Sequence, residues 1–345
     1  MTKTHVAAAI AETGEAMTFV LSPDPAEWHY EAGQYITLEV TIDGIPYRRS
    51  YSLANPSGLG LPPAITVKRI PKGKVSNYLC DTIKKGDTLL CSEPKGHFVL
   101  PTTMKGGHLI LVAGGSGITP LYALLQSTLH KHPTVAITLL YASRNEESII
   151  YREQLAGLVA THRHHLTVTH VLSQPSEAWT GMRGRLTASR FVKLLPADKP
   201  DTHYYLCGPQ GLMECARATL LARGVAKSCI RQEPFTATQQ DEAFAYREAP
   251  ATVTFIHQGV KMTATVEGDD SLLDAAHDLG IDIPYSCSSG ICDTCRVKCL
   301  KGEVKMMSDE GLSEEEKREG YVLTCVGYAG SDEVTIEVED EEETF

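Results

Sequence analysis

Five of the ten cysteines, Cys287, Cys292, Cys295, Cys299 and Cys325, crowd into one stretch of the chain. Four of them run Cys287-x4-Cys292-x2-Cys295 and then, after 29 intervening residues, Cys325. That is the spacing with which four thiolates hold a [2Fe–2S] cluster. Between them, Ser288, Ser289, Gly290 and Thr294 are small enough to let the loop wrap tightly, so that backbone N–H groups point at the sulfurs. Such bonds offset the burial of an anionic cluster and help set its potential. A four-cysteine zinc site is the competing reading, but it usually shows two C-x2–4-C knuckles, and Cys325 stands alone in Leu323-Thr324-Cys325-Val326. Unligated buried thiols are a further alternative. Cys299 is off the pattern and reads as a buried thiol.

Two glycine turns carry a second chemistry. Ala113-Gly114-Gly115-Ser116-Gly117-Ile118-Thr119-Pro120 follows a buried-strand run and opens a helix with Pro in its first turn. Glycine lets the backbone approach a pyrophosphate, and the helix N-terminus supplies a favourable field. The segment is not the G-x-G-x-x-G fingerprint, since Pro120 stands where the third Gly would be, and a turn that merely tightens helix–sheet packing is the alternative. Leu206-Cys207-Gly208-Pro209-Gln210 follows a later strand, and a small buried thiol closing a strand end is its plain reading. After the second strand of this region come Ser143 and Arg144. An acidic residue there would read a ribose 2′-hydroxyl, whereas Arg accepts a 2′-phosphate. Ser143-Arg144 favours NADPH, Glu146 and Glu147 weaken that preference, and NADH stays possible.

Three blocks must position these residues. Residues 1–102 read as short strands with turns: 33–40, 47–53, 65–69 and 88–92, with a helix over 75–82. Asp43-Gly44 tolerates the positive φ of a type I′ hairpin, and the spacing predicts a small antiparallel barrel. Over 103–235, buried strands (108–113, 136–141, 166–172, 203–206) alternate with helical patterns (120–130, 150–161, 188–195, 210–223). That rhythm predicts an α/β domain with a doubly wound parallel sheet. Residues 236–250 are polar, lack periodicity, end in Pro and read as a linker. Residues 251–345 open with a hairpin (252–256, 261–266) and a helix capped by Ser271, then reach the cysteine cluster.

Composition narrows the class. The 345 residues are 42% hydrophobic, enough for two or three cores. No apolar run reaches the roughly 18 residues of a membrane span, and no secretory signal is evident, so no membrane insertion and a cytoplasmic location are expected. A cytosolic setting also keeps thiols reduced. Residues 251–345 hold 7 Lys and Arg against 22 Asp and Glu, while the remainder carries a small positive excess within a total of −11. So acidic a third argues against nucleic acid.

With these residues in hand, 251–345 resembles a plant-type ferredoxin domain of α+β, β-grasp fold, and the rest resembles the ferredoxin–NADP reductase superfamily. Arg49-Ser50-Tyr51-Ser52 matches its R-x-Y-[ST] motif and Gly73-Lys74-Val75-Ser76 its G-x-x-S. Ala32-Gly33-Gln34-Tyr35 and Pro94-Lys95-Gly96-His97-Phe98 match further patterns in order. The resemblance implies FAD: Arg49 a fork for its pyrophosphate, Tyr51 stacked on the isoalloxazine, Ser52 near N5, and the helix start at Val75 under the pyrophosphate. Ser50, Val67, Lys74, Val75 and Ser76 complete the implied flavin contacts. Gly115, Gly117, Thr119 and Pro120, with Cys207, Gly208 and Pro209, are the implied nicotinamide contacts. Ser52, Thr119 and Cys207 are thereby set at the hydride path, Cys207 as a positioning group because hydride transfer needs no thiolate. Tyr151 lies in a segment similar to one where NADP-linked relatives stack Tyr on adenine. Glu233-Pro234-Phe235 falls where relatives place residues near the flavin, or is a plain strand end.

The order flavin barrel, nucleotide domain, ferredoxin is similar to reductase components of bacterial oxygenase systems, of the phenylacetyl-CoA epoxidase reductase type and its steroid-hydroxylase relatives. This implies hydride transfer from NAD(P)H to FAD, then single electrons to a cluster near about −400 mV, then a partner protein, foremost an oxygenase. A desaturase or hybrid-cluster protein is an alternative acceptor, and a redox sensor without turnover an alternative role. Acceptor identity and oligomeric state stay open, as does the role of the acidic tail Glu337–Glu343.

Overall fold

In the computed structural model, residues 1–23, 28–102, 104, 106–196, 200–235, 246–285, 290 and 293–338 are described. The chain divides into two compact units, Met1–Ala243 and Phe244–Phe345.

The first unit opens with strands β1 (Thr2–Thr13), β2 (Ala16–Pro23), β3 (Tyr35–Ile42), β4 (Ile45–Ser52) and β5 (Ala64–Lys68). Helix α1 (Lys74–Thr82) and strand β6 (Thr88–Cys91) follow. The six strands form one antiparallel sheet in the order β4-β3-β6-β1-β2-β5. A bridge between Leu53 and Ile65 turns the end of β4 back onto β5, curling the sheet into the expected barrel. Asp43 and Gly44 take φ of 54° and 80°, the pair of positive values a type I′ turn demands. That turn sets the β3–β4 register and so places Ser52 opposite Tyr35. Phe19, Leu21, Ile36, Leu38, Val67 and Leu79 fill the interior.

Next come β7 (His108–Gly114), α2 (Ile118–Lys131), β8 (Ala136–Ser143), α3 (Arg152–Thr161), β9 (Leu166–Leu172) and β10 (Met182–Arg183). They are followed by α4 (Ala188–Leu194), β11 (Thr202–Gly208), α5 (Gln210–Ala222) and β12 (Ile230–Pro234). The sheet order is β10-β9-β8-β7-β11-β12, parallel throughout. Every residue of β7 is buried, as the centre of a sheet covered on both faces must be. Helix α2 is buried nearly all round rather than on one stripe, because its outer face meets the barrel. One core runs from Ala16, Ala32, Ala54 and Ala64 of the barrel into Leu121, Leu124, Leu139 and Tyr205. The Tyr205 hydroxyl donates to the Val99 carbonyl at 2.6 Å, tying β11 to the segment that leaves the barrel. Barrel and parallel sheet are therefore fused.

The second unit holds β13 (Ala251–His257), β14 (Val260–Val266), α6 (Leu272–Asp278), β15 (Arg296–Lys301) and β16 (Val304–Met306). It ends with α7 (Glu314–Arg318), β17 (Tyr321–Leu323), β18 (Gly327–Ala329) and β19 (Glu333–Val338). Its main sheet, β14-β13-β19-β15-β17, is mixed: β13 and β19 run parallel and the other neighbours antiparallel. Leu272, Leu273, Ala275 and Ala276 of α6 pack with Val253, Phe255, Val297 and Ile336, the β-grasp arrangement of a mixed sheet and one helix. Ser271 caps α6 by accepting from the Asp274 amide, as its sequence predicts. Of the expected linker, 236–245 lies outside the described residues, and so does the tail beyond Val338. Among the described residues no helix is long and apolar enough to cross a membrane.

The fused core carries a pH consequence. Burial pushes the phenols of Tyr141, Tyr151 and Tyr205 up, that of Tyr122 to about 12, and the Cys91 thiol to about 11. Each group binds its proton more tightly folded than unfolded, so its stabilisation is whole below the ordinary pKa and fades as pH climbs through the raised one. Melting temperatures should be flat from pH 7 to 8.5 and then fall, each group adding about 1.4 kcal/mol of lost stability per pH unit. A melting temperature that holds steady to pH 11 would contradict this.

Candidate functional site

Strand order around β7 reverses: the chain moves outward through β8 and β9, then returns to place β11 on the other side of β7. At such a switch point the loops beyond two neighbouring strand ends diverge and leave a crevice. Both glycine turns lie there. After Gly114 a 3-10 turn, Gly115–Gly117, leads into α2, with Gly115 at φ +55°. A Cβ on Gly117 would stand 2.3 Å from the Cys207 carbonyl oxygen, and one on Gly114 2.6 Å from Pro209 Cδ. The two predicted motifs are thus in direct contact, and their closeness forbids side chains at these positions.

The surroundings fit a dinucleotide. Helices α1, α2 and α5 start at Gly73, Gly117 and Pro209 without a capping side chain, so no N-cap side chain competes with an anion there, although the Ile118 amide of α2 already donates to the Gly115 and Ser116 carbonyls. Thr119 is 1% exposed and its hydroxyl donates to the Ser116 carbonyl at 3.0 Å. Pro120 is buried in the first turn of α2. Lys68, at the end of β5, reaches over the turn, its Nζ 3.6 Å from where a Gly115 Cβ would be. Burial pushes the Lys68 ammonium down, against the opposing pull of Glu15. Cys207 is fully buried, and burial, with Glu233 on the neighbouring strand, holds its thiol far above the usual range. A thiol so held offers no nucleophile's thiolate.

On the barrel, Arg49 and Tyr51 share one face of β4, Ser50 and Ser52 the other. Arg49 Nη1 donates to the Arg48 carbonyl at 2.7 Å, Ser50 bonds Thr37 at 3.1 Å, and Ser52 is 3% exposed. Burial raises the Tyr51 phenol. Lys74 donates to the Tyr47 hydroxyl at 2.8 Å, and Ser76 accepts from the Ile70 amide at 3.1 Å. Val67 and Val75 turn their side chains into the barrel core, so only their backbone groups could meet a cofactor. The 32–35 and 94–98 segments do pair: Tyr35 and Lys95 exchange backbone bonds of 2.8 Å. A Cβ on Gly33 would lie 1.9 Å from the Phe98 carbonyl oxygen.

At the cluster end, Cys295 is 1% exposed and its carbonyl accepts from both the amide and the hydroxyl of Thr324, each at 3.1 Å. This anchors Cys325, in the following 3-10 turn, beside the Cys295 loop. Gly290, at φ +75°, would drive a Cβ to 2.5 Å from the Ser308 carbonyl oxygen. Cys287 and Cys292 lie outside the described residues. Cys299 is half-buried, its thiol donating to the Lys301 carbonyl at 3.5 Å, away from this loop.

The second-strand end departs from expectation. Ser143 is buried at the end of β8 and Arg144 follows, but Arg144 Nη2 is drawn 3.1 Å to Glu15 Oε2, from the β1–β2 turn of the barrel. Glu146 is turned aside: Ser176 bonds it through amide and hydroxyl and holds its carboxyl below the usual range. Tyr151 corrects the resemblance. Its ring is 3% exposed and lies on Tyr122 at 4.4 Å, so it cannot stack on an adenine. At φ 60° it takes a left-handed conformation that costs a non-glycine residue about 1–2 kcal/mol. Sequence reasoning also passed over Tyr141. Fully buried in β8, its hydroxyl donates to the Gly115 carbonyl at 3.0 Å and accepts from the Ile150 amide at 3.2 Å. A phenol inside a buried, mostly aliphatic strand was the available signal, since a buried hydroxyl requires a partner.

Gly117→Ala should destabilise by about 2–3 kcal/mol through overpacking against Cys207. Gly157→Ala, in α3 with nothing within 4 Å, should instead gain about 0.5–1 kcal/mol. Chemical denaturation of both variants checks the pair, and a Gly117→Ala as stable as the parent would remove the backbone contact from the account.

Comparisons with known proteins agree with this geometry. Residues 4–100 match the oxidoreductase FAD-binding domain, 111–218 the oxidoreductase NAD-binding domain and 255–330 the 2Fe-2S iron-sulfur cluster binding domain. The chain is 31% identical to the reductase component of the glycine betaine monooxygenase of Pseudomonas aeruginosa (strain UCBPP-PA14), covering 94% of this chain and 92% of that one. It is 33% identical to the ferredoxin reductase component of the 3-ketosteroid-9-alpha-monooxygenase of Mycobacterium tuberculosis (strain ATCC 25618 / H37Rv), covering 96% of this chain and 94% of that one. The solved structure of phthalate dioxygenase reductase, 26% identical, superposes with a TM-score of 0.61 over 97% of both chains. The chain belongs to the ferredoxin–NADP reductase-like oxidoreductases in which an FAD-binding and an NAD-binding domain, followed by a C-terminal 2Fe-2S domain, carry electrons away from a pyridine nucleotide.

Proposed function

We propose that the protein is the reductase component of an oxygenase system, drawing on NADPH and delivering single electrons to its oxygenase in the cytoplasm. The observation that carries the reading is the contact of the two glycine turns at the switch point, with the barrel strand β5 lying over them. The oxygenase as acceptor is supported by relatives that are reductase components of monooxygenases and match over more than nine-tenths of their lengths. None of the described cysteines is in a disulfide, which suits a reducing compartment.

Bound FAD would supply hydride acceptance and one-electron release, and a [2Fe–2S] centre one-electron relay. The chain's work is positioning. Gly115 and Gly117 let the backbone and the start of α2 hold the nucleotide pyrophosphate, with Lys68 above it. Thr119 and Pro120 fix the nicotinamide's edge, and Cys207, Gly208 and Pro209 shape its pocket. Arg49 and the Gly73–Ser76 turn take the flavin pyrophosphate, Tyr51 lies along the ring, and Ser52 donates near N5. Ser50, Val67 and Val75 lend backbone groups. Cys287, Cys292, Cys295 and Cys325 ligate the cluster.

Ser143 and Arg144 receive the 2′-phosphate, and neither is a carboxylate that would read a 2′-hydroxyl. Binding requires Arg144 to leave Glu15, so the preference for NADPH is moderate.

Two measurements test this. Arg144→Ala should lower kcat/KM for NADPH about 10- to 100-fold, the loss of a charge-assisted phosphate contact, and for NADH less than threefold. Equal losses would remove Arg144 from 2′-phosphate recognition. Cys325→Ser should bleach the iron–sulfur absorption and abolish electron delivery to an oxygenase, while NADPH-driven ferricyanide reduction continues from the flavin. A variant that keeps its cluster spectrum overturns the ligand set.

A further inference from the structure

Tyr151 joins the two halves of the first unit through a buried run of hydroxyls. Its phenol meets Thr66 of β5. Thr66 bonds Thr18 of β2 at 2.7 Å. Thr18 and Thr66 are 6% and 4% exposed. Two of the three groups belong to the barrel and Tyr151 to the nucleotide domain, where its ring lies on Tyr122 of α2. One helical turn before Tyr122, Thr119 donates to the Ser116 carbonyl in the glycine turn.

Adhesion between the halves does not need this arrangement. The shared apolar core already joins them. A buried polar run gives little net stability, but it is satisfied in one relative placement only, so it selects a register rather than adding strength. The backbone points the same way. Tyr151 is held left-handed at φ 60°, ψ 29°, and such outliers persist where the surroundings over-determine them. Its ring is clamped on Tyr122 at 4.4 Å and 26°.

We propose that Tyr151 is a positioning residue: through its bond to Thr66 and its stack on Tyr122 it fixes the spacing between barrel strand β5 and the start of α2, and with it the stacking of nicotinamide on flavin. The inference rests on the reading of Thr119 as a residue at the nicotinamide's edge.

Anaerobic stopped-flow reduction of the holoprotein by NADPH separates the limiting rate from the dissociation constant. The long-wavelength charge-transfer band reports stacking directly. Tyr151→Phe should lower the limiting rate about tenfold and weaken the band, with the dissociation constant changed less than threefold. Thr66→Val should do the same, and the double variant should be no slower than the slower single one, since both cut one link. Without NADPH, amide exchange at 64–68 and 116–121 should quicken in both. Thr66→Val carries the test if Tyr151→Phe folds poorly. Rates within twofold and an unchanged band, with only the melting temperature lowered, would make the run structural cement and overturn the proposal. Thr119→Val distinguishes the two failures. If it slows reduction while Tyr151→Phe and Thr66→Val do not, the inference alone falls. If it leaves rate and band untouched, the reading of Thr119 falls and takes the inference with it.

Discussion

Two parallel strands end side by side, and their backbones then touch. Gly114 and Gly117 lie against Cys207, Gly208 and Pro209 at distances that admit no side chain. A crevice at a reversal of strand order follows from topology alone. One whose floor is bare peptide follows only if both loops surrender their side chains at the same place. That joint surrender is the constraint on which the rest of the unit depends. It brings helix N-termini and amide groups close to one another, and it leaves the flanking positions, Thr119 and Cys207, fully buried.

A floor without side chains has little stiffness of its own, and the neighbouring elements supply it. Tyr141 reaches from β8 to the Gly115 carbonyl and the Ile150 amide. Tyr205 reaches from β11 to the barrel's exit at Val99. Tyr151 reaches from the start of α3 to β5. Each of these tyrosines spends its ring on the core and its hydroxyl on a backbone or threonine partner, which is how a large buried side chain adds directional information to apolar packing. Two of these struts, Tyr205 and Tyr151, cross from the parallel sheet to the barrel and fix how the two halves of one apolar core meet, although their sequences read as separate modules.

Much of this was legible from residue patterns, and the rest was hidden for physical reasons. Buried parallel strands announce themselves as apolar runs, so 108–113, 136–141 and 203–206 were located to within two residues, and 166–172, more mixed in composition, to the residue, whereas the two-residue edge strand Met182–Arg183 was not located. Asp43-Gly44 and the Ser271 cap were equally plain because each is a local device with one solution. The longest strand, Thr2–Thr13, was not located, since TKTHVAAAIAET is rich in alanine, favours no pleated surface and gains its strand form from pairing with β2 and β6. Motif spacing located the glycine turns, but likeness to a family's contacts could not say which side chains face inward: Val67 and Val75 are core. Tyr151 was misread because likeness to a segment says nothing about which way a ring turns once a second module packs against it. Glu15 had no signal at all, being 129 residues from the arginine it binds.

The buried thiol at the switch point has a consequence for wear. Reduced flavins leak electrons to dioxygen, so an enzyme of this class works in the presence of hydrogen peroxide of its own making. Peroxide attacks the thiolate form of cysteine, and a sulfur kept protonated by burial and by a neighbouring carboxylate offers almost none. Damage therefore falls first on exposed thioethers such as Met182, 36% exposed. The pocket ages last.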